Sequence, residues 1–147
     1  MDNIKLNYLA IGVAVAANFV FGFLWYGPIF GKIWAKEMEF PPDYKPQPKQ
    51  FILSAILMTV GSFFIIWVLA HNMFVWQFFG NATMPQTAPK PLALALSAAF
   101  FTWLGFFLPQ TLGQKAWEGH SWKLVAINAV YNLAGLSISA LILAHWK

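Results

Sequence analysis

The stretch LNYLAIGVAVAANFVFGFLWYGPIFG, from Leu6 to Gly31, contains no charged residue. The same holds from Gln50 to Pro89, from Pro91 to Gln114 and from Leu124 to Trp146. A soluble domain of 147 residues cannot hide four such runs. A bilayer can, because its hydrocarbon core of roughly 30 Å takes about 20 apolar helical residues per crossing. The runs predict an all-α integral membrane four-helix bundle that occupies residues 1–147 as one transmembrane domain.

Composition narrows the function classes. The chain is 59% hydrophobic and 10% charged, against roughly 25% charged in an ordinary soluble protein. Four spans and their connections leave no room for a soluble catalytic domain. Every strongly basic residue is lysine and none is arginine, which disfavours bidentate recognition of phosphate or carboxylate. The net charge of +4 does not point to nucleic acid, because the lysines sit at span ends, where they set topology and meet lipid headgroups. Cysteine is absent, so disulfides, thiolate chemistry and cysteine metal sites are excluded. The first apolar run ends in aromatic residues and proline rather than a small-residue cleavage site, and reads as an uncleaved first helix.

Along the chain, helix one is expected over residues 6–26, ended or kinked by Gly27-Pro28. Ile29, Phe30, Ile33, Trp34 and Met38 then recur at helical spacing with charges between them. This predicts a short amphipathic helix over about 29–40, lying in the membrane interface; the alternative is a plain extension of helix one into water. Pro41-Pro42 ends it, and Lys45-Pro46-Gln47-Pro48 forms a stiff connector. Helix two is expected over 51–72. Met73 to Phe79 either extends it or lies at the interface. Gly80-Asn81 and Pro85 to Pro91 form a loop. Helix three is expected over 92–112 and helix four over 122–145.

Lysine counting sets the orientation. Loops 27–50 and 113–121, with the adjacent Lys123, carry Lys32, Lys36, Lys45, Lys49 and Lys115, whereas the opposite side holds Lys5, Lys90 and Lys147. Both loops are expected to face the cytoplasm, with both termini outside. Trp25, Trp34, Trp117 and Trp122 fall near the inner side and Trp76 and Trp146 near the outer side, while Trp67 and Trp103 sit deeper, as packing residues. The halves also resemble each other: Gly61 over Gly135 aligns helix two with helix four, and Gly22-Phe23 over Gly105-Phe106 aligns helix one with helix three. Chance matching in apolar sequence is the alternative. A repeat would make the bundle two parallel-repeat helical hairpins about an axis along the membrane normal.

Polar and small residues inside spans mark helix contacts. Asn128, Asn132, Gly135 and Ser139 form one stripe on helix four; Asn18 and Gly22 lie four apart on helix one; Ala98, Thr102, Gly105 and Pro109 share a face of helix three. These stripes are expected to converge on the bundle centre, with Tyr131 and Gln110 nearby. Three asparagines suffice to satisfy one another as interhelical glue; the alternative is a polar pocket or pathway. No Asp, Glu, Lys or Arg lies within a span, which argues against proton-coupled transport. His71 and His145 end helices two and four on one face and are the candidates for a metal or pigment site, but no third ligand accompanies them. No nucleophile motif or phosphate-binding glycine loop is present, and Glu118-Gly119-His120 is a loop-borne cluster only.

The segment Asn18 to Pro28, followed by Phe30-Gly31-Lys32 and Trp34, resembles the opening of a family of small bacterial four-helix membrane proteins, domain of unknown function 1761. Its pattern Asn-x-x-x-Gly-x-x-Trp-Tyr, then Phe-Gly-Lys-x-Trp, makes Trp25, Tyr26, Pro28, Gly31, Lys32 and Trp34 the signature residues. Thr102 to Phe106 and Ala126 to Tyr131 are similar to its third- and fourth-helix signatures. The resemblance implies a multi-pass protein of the bacterial inner membrane and supplies no catalytic or ligand residues. The expected function is non-enzymatic: a packing, homo-oligomerising or accessory-subunit protein among membrane lipids, with no cofactor. The alternatives, in order, are a small-solute or lipid transporter or channel that uses the polar cluster, and a histidine-based metal or pigment binder.

Overall fold

The computed structural model describes residues 5–83 and 90–146, with backbone alone for 78–83. It is all-helical among the described residues: α1 (Tyr8–Leu24), a π turn (Trp25–Ile29), α2 (Gly31–Glu37), α3 (Pro48–Thr83), α4 (Pro91–Thr102), a second π turn (Trp103–Phe107), α5 (Leu108–Glu118) and α6 (Trp122–His145). Four of the resulting rods are long and apolar enough to cross a membrane: Tyr8–Ile29, Pro48–Gln77, Pro91–Glu118 and Trp122–His145. The fold is a membrane-type helical bundle.

The element ends have local causes. The Asn7 side chain accepts from Ala10 N at 3.0 Å, so α1 starts at Tyr8 rather than at residue 6. Ser121 caps α6 in the same way through Leu124 N at 3.1 Å. Pro28 has no N–H to donate to the preceding turn, and the helix widens: Phe30 N donates to Trp25 O at 2.8 Å, five residues back. Phe30 then leaves helical geometry (φ −114, ψ 1). The helix expected over 29–40 is therefore the shorter α2, which is no continuation of α1 and packs against α6. It closes with Glu39 at φ 57, Glu39 N donating to Lys36 O and Phe40 N to Ala35 O, both at 3.0 Å.

Two spans run further than expected. Helix two extends beyond 51–72 at both ends, taking in Pro48 and continuing to Thr83, because Met73 to Phe79 stays helical and no proline intervenes before Pro85. Residues 84–89 of the connecting loop lie outside the described residues. Helix three does not stop at 112. A π turn lets the chain pass Pro109, with Leu108 N reaching back to Trp103 O, and the helix ends at Glu118, before Gly119 in the left-handed region (φ 73). The loop expected over 113–121 shrinks to Gly119–Ser121.

Packing is uneven along the bundle axis. At the end that holds the start of α1, two clusters close the core: Ile11, Ala14, Ile66 and Ala70 between α1 and α3, and Leu69, Met73, Leu94, Ala95, Ala99, Leu136, Ala140 and Ala144 among α3, α4 and α6. Alanines at these positions let helices approach closely, which is how packing is won in lipid. At the other end α3 stands off: Phe51, Ile52, Leu53, Ile56, Leu57 and Met58 are all more than half exposed. The helix pairs also differ in burial. A share of 39% of the α6 span is buried against 11% of the α3 span, so α6 is the hub and α3 the periphery. Both π turns begin Trp-x-Gly, at Trp25-Tyr26-Gly27 and Trp103-Leu104-Gly105.

Candidate functional site

Where α3 separates from the bundle, α1, α2, α3, α5 and α6 enclose a cavity of about 690 Å³. It extends from Asn18 and Asn132 at mid-span to Trp34, Met38 and His120 at the loop end. A deeper recess of about 90 Å³ continues past Ser62 and Asn132 to Gly135 and Ser139. Beyond it, the two apolar clusters seal the bundle. The space is an open-sided vestibule, within the 300–1,000 Å³ common for small-molecule sites.

Its walls carry amides and hydroxyls. Asn18 Nδ2 donates to Ser139 Oγ, to Gly135 O at 3.3 Å and to Ala14 O at 3.2 Å. Ser139, 1% exposed, donates onward to Gly135 O at 2.9 Å. Tyr26 OH donates to Asn128 Oδ1 at 2.9 Å. The hydroxyl of Thr111 is tied to Phe107 O at 2.7 Å. Asn132, Gln110, Gln114 and Ser62 line the space and make no side-chain hydrogen bond to another described residue. The three asparagines therefore do not satisfy one another: each faces a different neighbour, and Asn132 faces the cavity. His120 is the one titratable side chain in the wall besides the two tyrosines. Its Nε2 lies 3.2 Å from Glu118 Oε2, and its Nδ1 is buried without a partner among the described residues.

Of the expected cluster, Asn18, Gly22, Asn128, Asn132 and Gly135 come together. Thr102 and Gly105 do not. Thr102 is half-buried outside the lining, and Gly105 is exposed, with nothing within 4 Å of an added Cβ. Gly105 lies inside the π turn, whereas Ala98, before the turn, packs on the core. Trp103 does reach inward, and its Nε1 donates to Ala129 O at 2.8 Å. His71 and His145 each donate Nδ1 to their own helix, at Trp67 O (2.8 Å) and Leu141 O (3.0 Å). Among the described residues no group of three His, Asp or Glu is placed to hold a metal. Sequence reasoning missed Ser54, Ser62 and Gln114. The signal was present as Ser54, Met58 and Ser62 at four-residue spacing on an otherwise lipid-facing helix.

The signature residues build the loop-end wall. Tyr26 packs edge-on to Tyr131 (centroids 4.8 Å apart) and to Trp34 (5.5 Å). Trp25 packs on Phe30 at 4.5 Å and on Phe21 at 5.4 Å. Pro28 makes the π turn. Gly31 sits under it, where a Cβ would come 2.6 Å from Tyr26 O. Lys32 is exposed. A family model described as a protein of unknown function, DUF1761, matches residues 9–144. The chain belongs to the DUF1761 family. No curated protein and no solved structure matches it. The DUF1761 match spans both π turns and every vestibule helix.

Tyr26→Phe tests the wall directly. It removes the donor to Asn128 and leaves a partly buried amide oxygen unpaired, which is expected to cost about 1–2 kcal/mol. Thermal unfolding in detergent, with Tyr44→Phe as the reference, measures it.

Proposed function

We propose that the protein is a non-enzymatic, multi-pass membrane protein that takes up a small uncharged molecule in the vestibule, as a binder or passive carrier. The observation that carries this reading is the set of unpaired polar side chains, Asn132, Gln110, Gln114 and Ser62, turned into one cavity at membrane depth. These side chains are half-buried or, for Gln110, exposed, so their donors and acceptors are open to a ligand with hydroxyl or carbonyl groups. Among the described residues no Lys, Asp or Glu lines the space, which favours an uncharged ligand over an ion. The lysine bias of the connections supports a cytoplasmic vestibule mouth, and the family resemblance supports the cytoplasmic membrane of a bacterium.

Asn132→Trp fills the vestibule and tests the reading. Native mass spectrometry of the protein released in mild detergent is expected to find a non-covalent bound mass on the wild type that is lost in the variant. A bare chain in both, from membranes and after addition of neutral polyols, would count against it.

A second reading is association between copies. Gly105 supports it: this residue lies on an exposed face between Phe101 and Phe106, which are 68% and 73% exposed, where a second helix can approach closely. The same mass spectra report the oligomeric state.

A further inference from the structure

An apolar groove of about 330 Å³ runs along the outer side of the α1–α3 gap, lined by Ile52, Ile56, Thr59 and Val60. It shares Phe19, Phe51 and Ala55 with the vestibule. These three side chains stand between the two spaces, with amides on one side and exposed aliphatic surface on the other. Phe19 and Phe51 are themselves about half exposed. A ligand that fits both compartments at once has a polar head and an apolar tail.

We infer that the vestibule takes a single-chain neutral lipid of the monoacylglycerol class, head among Asn132, Gln110 and Ser62 and acyl chain leaving through the Phe19–Phe51–Ala55 portal into the α1–α3 groove. This rests on the vestibule being a ligand site, as proposed above, and adds the ligand class and the route of entry. Three observations support it. The groove adjoins the cavity, and Phe19, Phe51 and Ala55 line both. The head compartment lacks the Lys or Arg that a phosphate or carboxylate head would need. Finally, α3 beside the portal is not held by the apolar clusters, which begin at Ile66, so lateral access requires no break in the core.

The natural chain has no cysteine, which permits a single-thiol test. Ser62→Cys is placed in liposomes and labelled by a water-soluble thiol reagent, with 1-oleoylglycerol, its 3-phosphate or octadecane at equal mole fraction in the bilayer. The expected result is that 1-oleoylglycerol slows labelling, with half-protection at a mole fraction about tenfold below that of the other two. Ala55→Trp, which blocks the portal, should abolish the difference between labelling with and without 1-oleoylglycerol. Independently of any variant, protection should rise with acyl-chain length from monoacetin upward. Labelling that none of the lipids slows, or that octadecane or the phosphate slows equally, overturns the inference and leaves the vestibule. Equal protection by monoacetin and 1-oleoylglycerol means a solute site without lateral entry, and overturns it too. A thiol that never labels removes the vestibule reading and this inference together.

Discussion

Gly31→Ala is expected to destabilise the protein by about 2 kcal/mol, a fall in Tm of about 4–8 °C for a chain of this size. The cause is a backbone contact. A Cβ at residue 31 would come 2.6 Å from Tyr26 O and 3.2 Å from Tyr26 C. Those atoms belong to the π turn forced by Pro28, and neither can move as a flexible side chain would. Relief requires that α2 shift, and with it Trp34, which packs on Tyr26. The effect should therefore spread to the Tyr26–Asn128 bond and to the near-ultraviolet signal of the aromatic wall. Gly12→Ala and Gly61→Ala are the references. Neither added methyl meets anything within 4 Å, and alanine favours helix by about 1 kcal/mol over glycine. Those two should melt at or above the wild-type temperature. A Gly31→Ala protein that melts with them would contradict the geometry.

Asn18→Leu is the second large effect, expected at about 2–3 kcal/mol. It removes the amide that ties α1 to α6 through Ser139 and Gly135 O. Leucine has nearly the shape of asparagine but neither donates nor accepts, so the change removes the polar contacts and leaves the close approach of residue 18 to Gly135 in place. The loss of the bonds from Asn18 Nδ2 to Ala14 O, Gly135 O and Ser139 Oγ acts in one direction, although Ser139 keeps its own bond to Gly135 O. The hydrogen-bond part can be separated with a double-mutant cycle of Asn18→Ala and Ser139→Ala. Interhelical hydrogen bonds in membranes are worth roughly 0.6 kcal/mol on average and about 1.7 at most, so a coupling of about 1 kcal/mol is expected. Additivity within about 0.3 kcal/mol would remove this bond from the account.

Much of this fold is legible from charge and hydropathy alone. The four spans follow from four uncharged runs, because lipid tolerates little else, and the family follows from the Asn18-to-Trp34 block. The helix ends are harder. Pro109 reads as a residue near the end of helix three, yet the chain continues past it to Glu118 by adding a residue to one turn, and nothing in the local sequence marks the π turn. Gly105 reads as a packing residue because it shares a face with Thr102 and Ala98 in an ideal helix; it lies inside the π turn and is exposed, whereas Ala98, before the turn, packs on the core. The asparagines read as mutual partners because each needs one. Their actual partners, Ser139 and Tyr26, are set by how α1 and α2 dock on α6, a tertiary matter. Ser54 and Ser62 were legible as a four-residue stripe, but two serines in a helix of Phe, Ile and Leu carry little weight until the opposite wall is seen.

The central claim is that a polar vestibule open to water reaches mid-membrane beside α3. Cysteine reactivity tests it most directly, because only the thiolate reacts, and a thiol in hydrocarbon stays protonated and inert. Ser62→Cys and Phe64→Cys stand two residues apart on one helix, the first lining the vestibule and the second 57% exposed on the outer surface. In liposomes with a water-soluble thiol reagent, the account predicts that residue 62 labels readily and residue 64 does not. Equal inertness at both positions would contradict it.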